Sequence, residues 1–226
     1  MPHKILIVVT SHAALGTTGK LTGFWLEELA APYMVFAGSG AHVDIASPKG
    51  GKAPADPKST DSASPEVKAF TADADAQAKL GDTRKLSEIT EHYDAVFVAG
   101  GHGVMWDLTG DPDLARLLGD HHARGAVVAA VCHGPAALAQ VVDRSGDPLV
   151  KGRRVTSFSD EEEAAVGLTQ VVPFLIESTF KAQGGHYERA AMWQSHVVRD
   201  GRLITGQNPA SSKAAAEETL RALGAG

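Results

Sequence analysis

Ala126-Val-Val-Ala-Ala-Val-Cys132-His133-Gly134-Pro135-Ala-Ala-Leu138 is the stretch on which the reading of this chain turns. An apolar run ends at Val131, one nucleophile-type residue follows, and Gly134-Pro135 opens a helix. A strand that stops at a reactive side chain and turns at once into a helix is a nucleophile elbow. Its tight turn pushes that side chain out at the carboxyl edge of a sheet. Gly134 permits a close backbone approach, and Pro135 starts the helix where no N–H is needed. A thiol placed there faces the positive end of the helix and several free N–H groups. Both favour thiolate, so the Cys132 pKa is expected below the free value of about 8.5.

Three further β-branched runs, Lys4–Thr10, His42–Ser47 and Asp94–Ala99, accompany Ala126–Val131. Most are apolar throughout rather than alternating, as parallel strands covered on both faces must be. Between them, Leu21–Phe36 reads as an amphipathic helix. Asp113–His122 reads as a helix opening after Asp111-Pro112, and Ser64 to about Leu80 as further helical sequence. Strand alternating with helix predicts right-handed crossovers and an α/β fold: a doubly wound, mostly parallel sheet with helices on both faces. Gln194–Val198 and Arg202–Thr205 flank Asp200-Gly201, a two-residue hairpin signal, and Asn208-Pro209 introduces a closing helix over Ala210–Leu223. The Pro-, Gly- and Ser-rich segment Lys49–Ser64 reads as a surface loop.

With 226 residues, no internal repeat and no long linker, residues 1–226 are expected to form one domain. A net charge of −6 with interspersed signs offers no basic patch for nucleic acid. The longest apolar runs fall far short of the roughly 20 residues a membrane span needs. Ile5-Leu-Ile-Val-Val9 reads as a first strand rather than part of a secretory signal. The single cysteine rules out an internal disulfide and a multi-cysteine zinc site, and the histidine spacings suggest no metal ligation. The expectation is a cytoplasmic protein without bound metal or cofactor.

Two more stretches carry chemistry. Asp94-Ala-Val-Phe-Val-Ala-Gly100-Gly101-His102-Gly103 runs a buried strand into a glycine-rich turn, where the Gly101 and His133 N–H groups together suit a developing oxyanion. In Thr22-Gly-Phe-Trp-Leu-Glu27-Glu28-Leu29-Ala-Ala-Pro32-Tyr33, a helical period of about 100° puts Trp25, Leu26, Leu29, Tyr33 and Phe36 on one face. Glu27 falls opposite them, and Glu28 at the edge of that face. Partial desolvation there would raise the Glu28 pKa and suit it to acid–base work.

Ala130-Val-Cys132-His133-Gly134-Pro135, Ala99-Gly-Gly-His-Gly103, Glu28 four residues before Pro32, and Thr205-Gly-Gln-Asn-Pro-Ala-Ser211 together resemble the ThiJ/PfpI superfamily. Within it the chain looks most like the heat-shock-31-type branch of glutathione-independent glyoxalase III proteins. The resemblance covers essentially the whole chain. It implies a flavodoxin-like fold, a dimer, and a site in which Cys132 is nucleophile, Glu28 acid and base, and His133 the neighbouring histidine. A downstream acid completes the implied triad; the closest match is Glu163, with Asp160 to Glu162 as competitors. Class I glutamine amidotransferases pair an elbow cysteine with a later His-x-Glu, which His186-Tyr187-Glu188 fits. Ala130, however, stands where their elbow has its first glycine.

The implied reaction converts methylglyoxal or a similar small 2-oxoaldehyde to a hydroxy acid without a cofactor. Protein deglycation, peptide hydrolysis, and a redox-sensing or holdase stress role are the alternatives. Peptide hydrolysis needs a histidine that reaches the leaving amine, and the position of His133, adjacent to Cys132, speaks against that reach.

Overall fold

The computed structural model describes residues 2–61 and 64–224. The strands are short: β1 (Lys4–Val8), β2 (His42–Ser47), β3 (Arg84–Lys85), β4 (Ala95–Val98) and β5 (Val127–Val131), with β6 (Arg154–Val155), β7 (His186–Tyr187), β8 (Val197–Asp200) and β9 (Leu203–Gly206) following; β4, β5 and β9 are wholly buried. Seven of them form one sheet in the order β3-β2-β1-β4-β5-β9-β8, parallel except for the β8–β9 hairpin. The remaining two, β6 and β7, pair in parallel as a small second sheet. Helices cover both faces, and the layout is flavodoxin-like.

Alternate residues explain why the strands read as unbroken apolar runs. Ile5, Ile7, Phe97, Val127, Ala129 and Val131 face one core. That core is closed by α1 (Leu26–Gly38), α2 (Pro65–Ala72), α3 (Ala74–Gly81) and, at the chain's end, the helix over residues 212–223. Leu6, Val8, Val96, Val98, Val128 and Ala130 face the other. It is closed by α4 (Val104–Asp107), α5 (Pro112–Ala123) and, after α6 (Asp160–Ala165), α7 (Ile176–Ala182). The closing helix is α8 (Ser212–Leu223). With apolar partners on both faces, alternation has nothing to select.

Several boundaries differ from the sequence expectation, each for a local reason. The first helix begins at Leu26 rather than Leu21, because Leu21 and Phe24 bridge to Ala14 and Ala55. The helical stretch after Ser64 is two helices, broken at Asp73, whose extended backbone lets its carboxylate cap α3 through the Ala76 N–H. Asp200 pairs with Leu203, so the hairpin turn is Gly201-Arg202, one residue later than expected, with Gly201 at φ 61. The expected loop Lys49–Ser64 contains a 3-10 turn at Pro57–Ser59, and its Ser62 and Ala63 lie outside the described residues.

The segment after Cys132 is a 3-10 helix over Gly134–Gln140, not an α-helix. The strong positive helix end expected to acidify the thiol is correspondingly reduced.

The chain goes out from β1 through β2 to β3, then returns to the other side of β1 as β4. Open α/β sheets bind ligands at such a reversal, outside the carboxyl ends of the strands. The turns after β4 and β5 lie there. Among the described residues no helix is long and apolar enough to cross a membrane.

Candidate active site

Cys132 follows β5 directly and takes φ 59, a left-handed conformation uncommon for a residue with a side chain. The surrounding chain holds it there. Its N–H donates to Gly206 O at 2.9 Å, and its carbonyl accepts from the Phe158 N–H at 2.8 Å. Gly134 makes the turn sterically feasible, since a Cβ there would lie 2.3 Å from Val98 O. The elbow is therefore strained locally and clamped by neighbours on two other elements.

Around the sulfur the predicted site residues converge. His133 Nδ1 lies 3.3 Å from Cys132 Sγ, so this adjacent histidine reaches the thiol. Its other nitrogen, Nε2, is 2.7 Å from Glu163 Oε2. The ring is packed between His102, with centroids 4.0 Å apart, and Phe158, at 4.4 Å. With Nε2–H donating to the carboxylate, Nδ1 presents its lone pair to the thiol. Gly101 adopts φ 94 and directs its N–H at the Cys132 sulfur.

Glu28 is fully buried rather than at the edge of its helix face. Its Oε2 accepts the Gly100 N–H at 2.8 Å, its carboxyl is in hydrogen-bonding contact with the Cys132 thiol, and Oε1 has no oxygen or nitrogen partner. A buried polar atom left without a partner costs on the order of 1–3 kcal/mol. Burial pushes the Glu28 carboxyl up to about 8, against the opposing contacts with Cys132 and the Gly100 N–H. Since Oε2 is occupied by Gly100, the proton belongs on Oε1.

Burial, and then the neighbouring Glu28 carboxyl, push the Cys132 thiol well above its ordinary value. The expectation of an acidified thiol is thus corrected. The turn does supply N–H groups, but Cys132 is only 3% exposed, and desolvation beside a carboxyl outweighs them. Burial, and repulsion from His102, lower His133 to about 4, so it is a neutral imidazole at physiological pH. Glu163 is held ionised: burial alone would raise its pKa, but His133 and His102 bring it down to about 2.

Glu163 sits on α6, and the residues beside it explain its direction. Ser159 and Glu162 form a reciprocal capping box, and Glu162 is further tied down by the Trp193 N–H and Asn208 Nδ2. That leaves Glu163 to turn toward the elbow, while Glu161 pairs with Arg189 on the surface. The Ser-x-x-Glu pattern at Ser159 was the signal that separates these carboxylates in sequence.

His102 is the residue the sequence reading left as part of a turn. Its Nε2 is 2.8 Å from the second Glu163 oxygen, Oε1. The ligand atoms of His102, His133 and Glu163 lie within 4.8 Å of one another, the one such grouping among the described residues with cation-binding spacing. Those atoms are already engaged in the two hydrogen bonds given above.

His186 is exposed on β7, and Glu188 pairs with Arg154, so the His-x-Glu tripeptide is committed to the small sheet. An open cavity of 430 Å³, lined by residues including Arg116, Asp120, Arg124 and Asp143, lies elsewhere on the surface and contains no nucleophile. The elbow cysteine, by contrast, is buried.

A family model described as DJ-1/PfpI matches residues 21–222. The glutathione-independent glyoxalase HSP31 of Saccharomyces cerevisiae is 31% identical over 234 residues, covering 98% of both chains. The crystal structure of glyoxalase III from Candida albicans superposes with a TM-score of 0.90 at 31% identity, covering 97% of each chain. The Rapid Encystment Protein 24 kDa of Francisella tularensis superposes with a TM-score of 0.94 at 37% identity and 99% coverage of each.

Proposed function

The chain belongs to the DJ-1/PfpI family, and from that membership we propose that it is a glutathione-independent glyoxalase. It would convert methylglyoxal or a closely similar 2-oxoaldehyde to the 2-hydroxy acid, with Cys132 as the thiol. The observation that carries this reading is the placement of a neutral, buried Glu28 carboxyl against the Cys132 sulfur.

The Cys132 thiol passes its proton to His133 Nδ1 as sulfur adds to the aldehyde carbon. The oxyanion forms beside the Gly101 and His133 N–H groups and takes that proton back, giving a hemithioacetal. Glu28, once ionised, removes the hydrogen from the former aldehyde carbon. It returns a proton to the adjacent carbon through an enediol, leaving a thioester. Water activated by His133 then cleaves the C–S bond, restoring the thiol and releasing the hydroxy acid. Glu163 fixes the His133 ring and its tautomer throughout.

A cysteine only 3% exposed favours a small aldehyde over the peptide or glycated protein that the peptidase and deglycase readings require. It also weighs against a freely accessible redox sensor. The proposal includes a homodimer in the cytoplasm, a setting that suits a lone free thiol.

The test is lactate formation from methylglyoxal with neither glutathione nor added metal. Wild-type protein should produce lactate, and Cys132→Ser should lose essentially all of it. Undiminished lactate from Cys132→Ser would remove the covalent mechanism, and none from wild type would remove the glyoxalase reading.

A further inference from the structure

Among the described residues, two that carry a side chain take a positive φ: Cys132 at 59 and Trp193 at 65. The first is the elbow. The second belongs to the turn Ala191–Gln194, in which the Gln194 N–H reaches Ala191 O at 3.2 Å. Glycine or asparagine normally fills such a place, and a bulky ring there is an outlier.

Buried polar groups hold this turn at both ends and in its middle. Gln207 Oε1 accepts the Ala190 N–H at 2.8 Å, and Asn208 Nδ2 donates to Gln194 O at 2.9 Å. The Trp193 N–H itself donates to Glu162 Oε1 at 2.9 Å. Gln207, Asn208 and Glu162 are all 0% exposed. Strain of this kind persists only where the surroundings over-determine it, and it gathers at positions that meet ligands.

The strained backbone fixes where the indole sits. Its ring centroid lies 5.8 Å from that of Phe158, which lies 4.4 Å from the His133 imidazole. His133 in turn faces the Cys132 sulfur through Nδ1. His133 is 1% and Phe158 5% exposed, whereas Trp193 is 47% exposed. Trp193 is also the one aromatic among the large apolar side chains left exposed in the described residues. The rings therefore run from the elbow outward and end in an indole half in water. Such a ring offers a stiff, flat apolar face to a planar group.

We propose that Trp193 is the specificity-determining residue of the site. In a 2-oxoaldehyde R–CO–CHO, the aldehyde carbon goes to Cys132 and R lies against the Trp193 indole, an assignment that rests on the glyoxalase reading above. A methyl group covers little of that face; a phenyl ring covers much of it, stacked or edge-on. The preferred class is thus the 2-oxoaldehydes with an aromatic side group, with phenylglyoxal as the probe. The reaction balances as for methylglyoxal: C6H5COCHO + H2O gives C6H5CH(OH)COO⁻ + H⁺, with no oxidant or reductant. Trp193 meets R and not the reacting carbons, so it selects the substrate without taking part in the chemistry.

Steady-state kinetics with methylglyoxal and with phenylglyoxal, without glutathione, compare wild type, Trp193→Ala and Trp193→Phe. Wild type should favour phenylglyoxal in kcat/KM. Trp193→Ala should lower the phenylglyoxal-to-methylglyoxal ratio of kcat/KM by roughly ten-fold, through a raised KM for phenylglyoxal, and Trp193→Phe should recover most of it. An unchanged ratio in Trp193→Ala overturns the proposal. So do equal losses for both substrates, the mark of a merely structural turn, and so does a wild type that favours methylglyoxal.

Should Trp193→Ala not fold, product binding to wild type decides. Mandelate should quench tryptophan fluorescence with a Kd roughly ten-fold or more below that of lactate. Equal Kd values for the two products overturn the proposal. No turnover of either aldehyde, with mandelate still bound more tightly than lactate, would fail the glyoxalase reading and leave the Trp193 contact standing.

Discussion

Cys132 and Glu28 depend on each other. Desolvation holds a proton on each at neutral pH, so neither is a strong nucleophile or base at rest. His133, neutral and presenting Nδ1 to the sulfur, is the group able to take the thiol proton during attack. Enolisation, however, needs Glu28 as its carboxylate, and that form appears only as pH rises through about 8. The proposed enzyme should therefore show kcat/KM for methylglyoxal climbing with pH to a plateau, with a midpoint near 8. A profile flat from pH 6 to 9, or one that falls over that range, would mean that Glu28 is not the base.

At the scale of elements, the site exists because two turns are welded together. The turn after β4 presses on the elbow after β5 so closely that a Cβ on Gly100 would lie 2.5 Å from Glu28 Oε2 and 2.7 Å from His133 N. Gly100→Ala should cost about 1–3 kcal/mol by overpacking, and turnover should fall further than stability, because the intruding methyl displaces Glu28. Thermal melts paired with lactate assays check this; a variant with normal turnover would show that the contact is slack. The local pattern of Val131-Cys132-His133-Gly134-Pro135 was enough to read the elbow and its neighbours in sequence, because a strand-to-turn switch leaves a local signature. The thiol's protonation was not legible, since it depends on Glu28 arriving from α1 and on burial of Cys132 by the surrounding elements. His102 was missed for the same reason: its partner Glu163 lies 61 residues away. The edge strand β3 and the β6–β7 pair, two residues per strand, are too short to show any periodicity.

For the whole molecule, the site's buried groups set opposite limits on stability. Glu28 keeps its proton in the folded state up to about 8 but loses it near its ordinary 4.5 when unfolded. The folded state then binds more protons, so stability falls as pH rises across that window, by at most about 1.4 kcal/mol per pH unit. His133 acts in the other direction: lowered from 6.5 to about 4, it resists protonation when folded, so stability declines as pH falls from 6.5 toward 4. Glu28→Gln should remove the first slope and melt higher than wild type at pH 8, while the acid limb is unchanged. Identical melting curves for the two proteins from pH 6 to 8 would show that Glu28 is ionised in the folded state. The most direct test of the division of labour between Cys132 and Glu28 is intact-protein mass spectrometry of Glu28→Gln mixed with methylglyoxal and no glutathione. The account predicts a methylglyoxal adduct accumulating on Cys132 with lactate formation lowered about 10²–10⁴-fold. Lactate released at the wild-type rate, or an adduct found only away from Cys132, would contradict it.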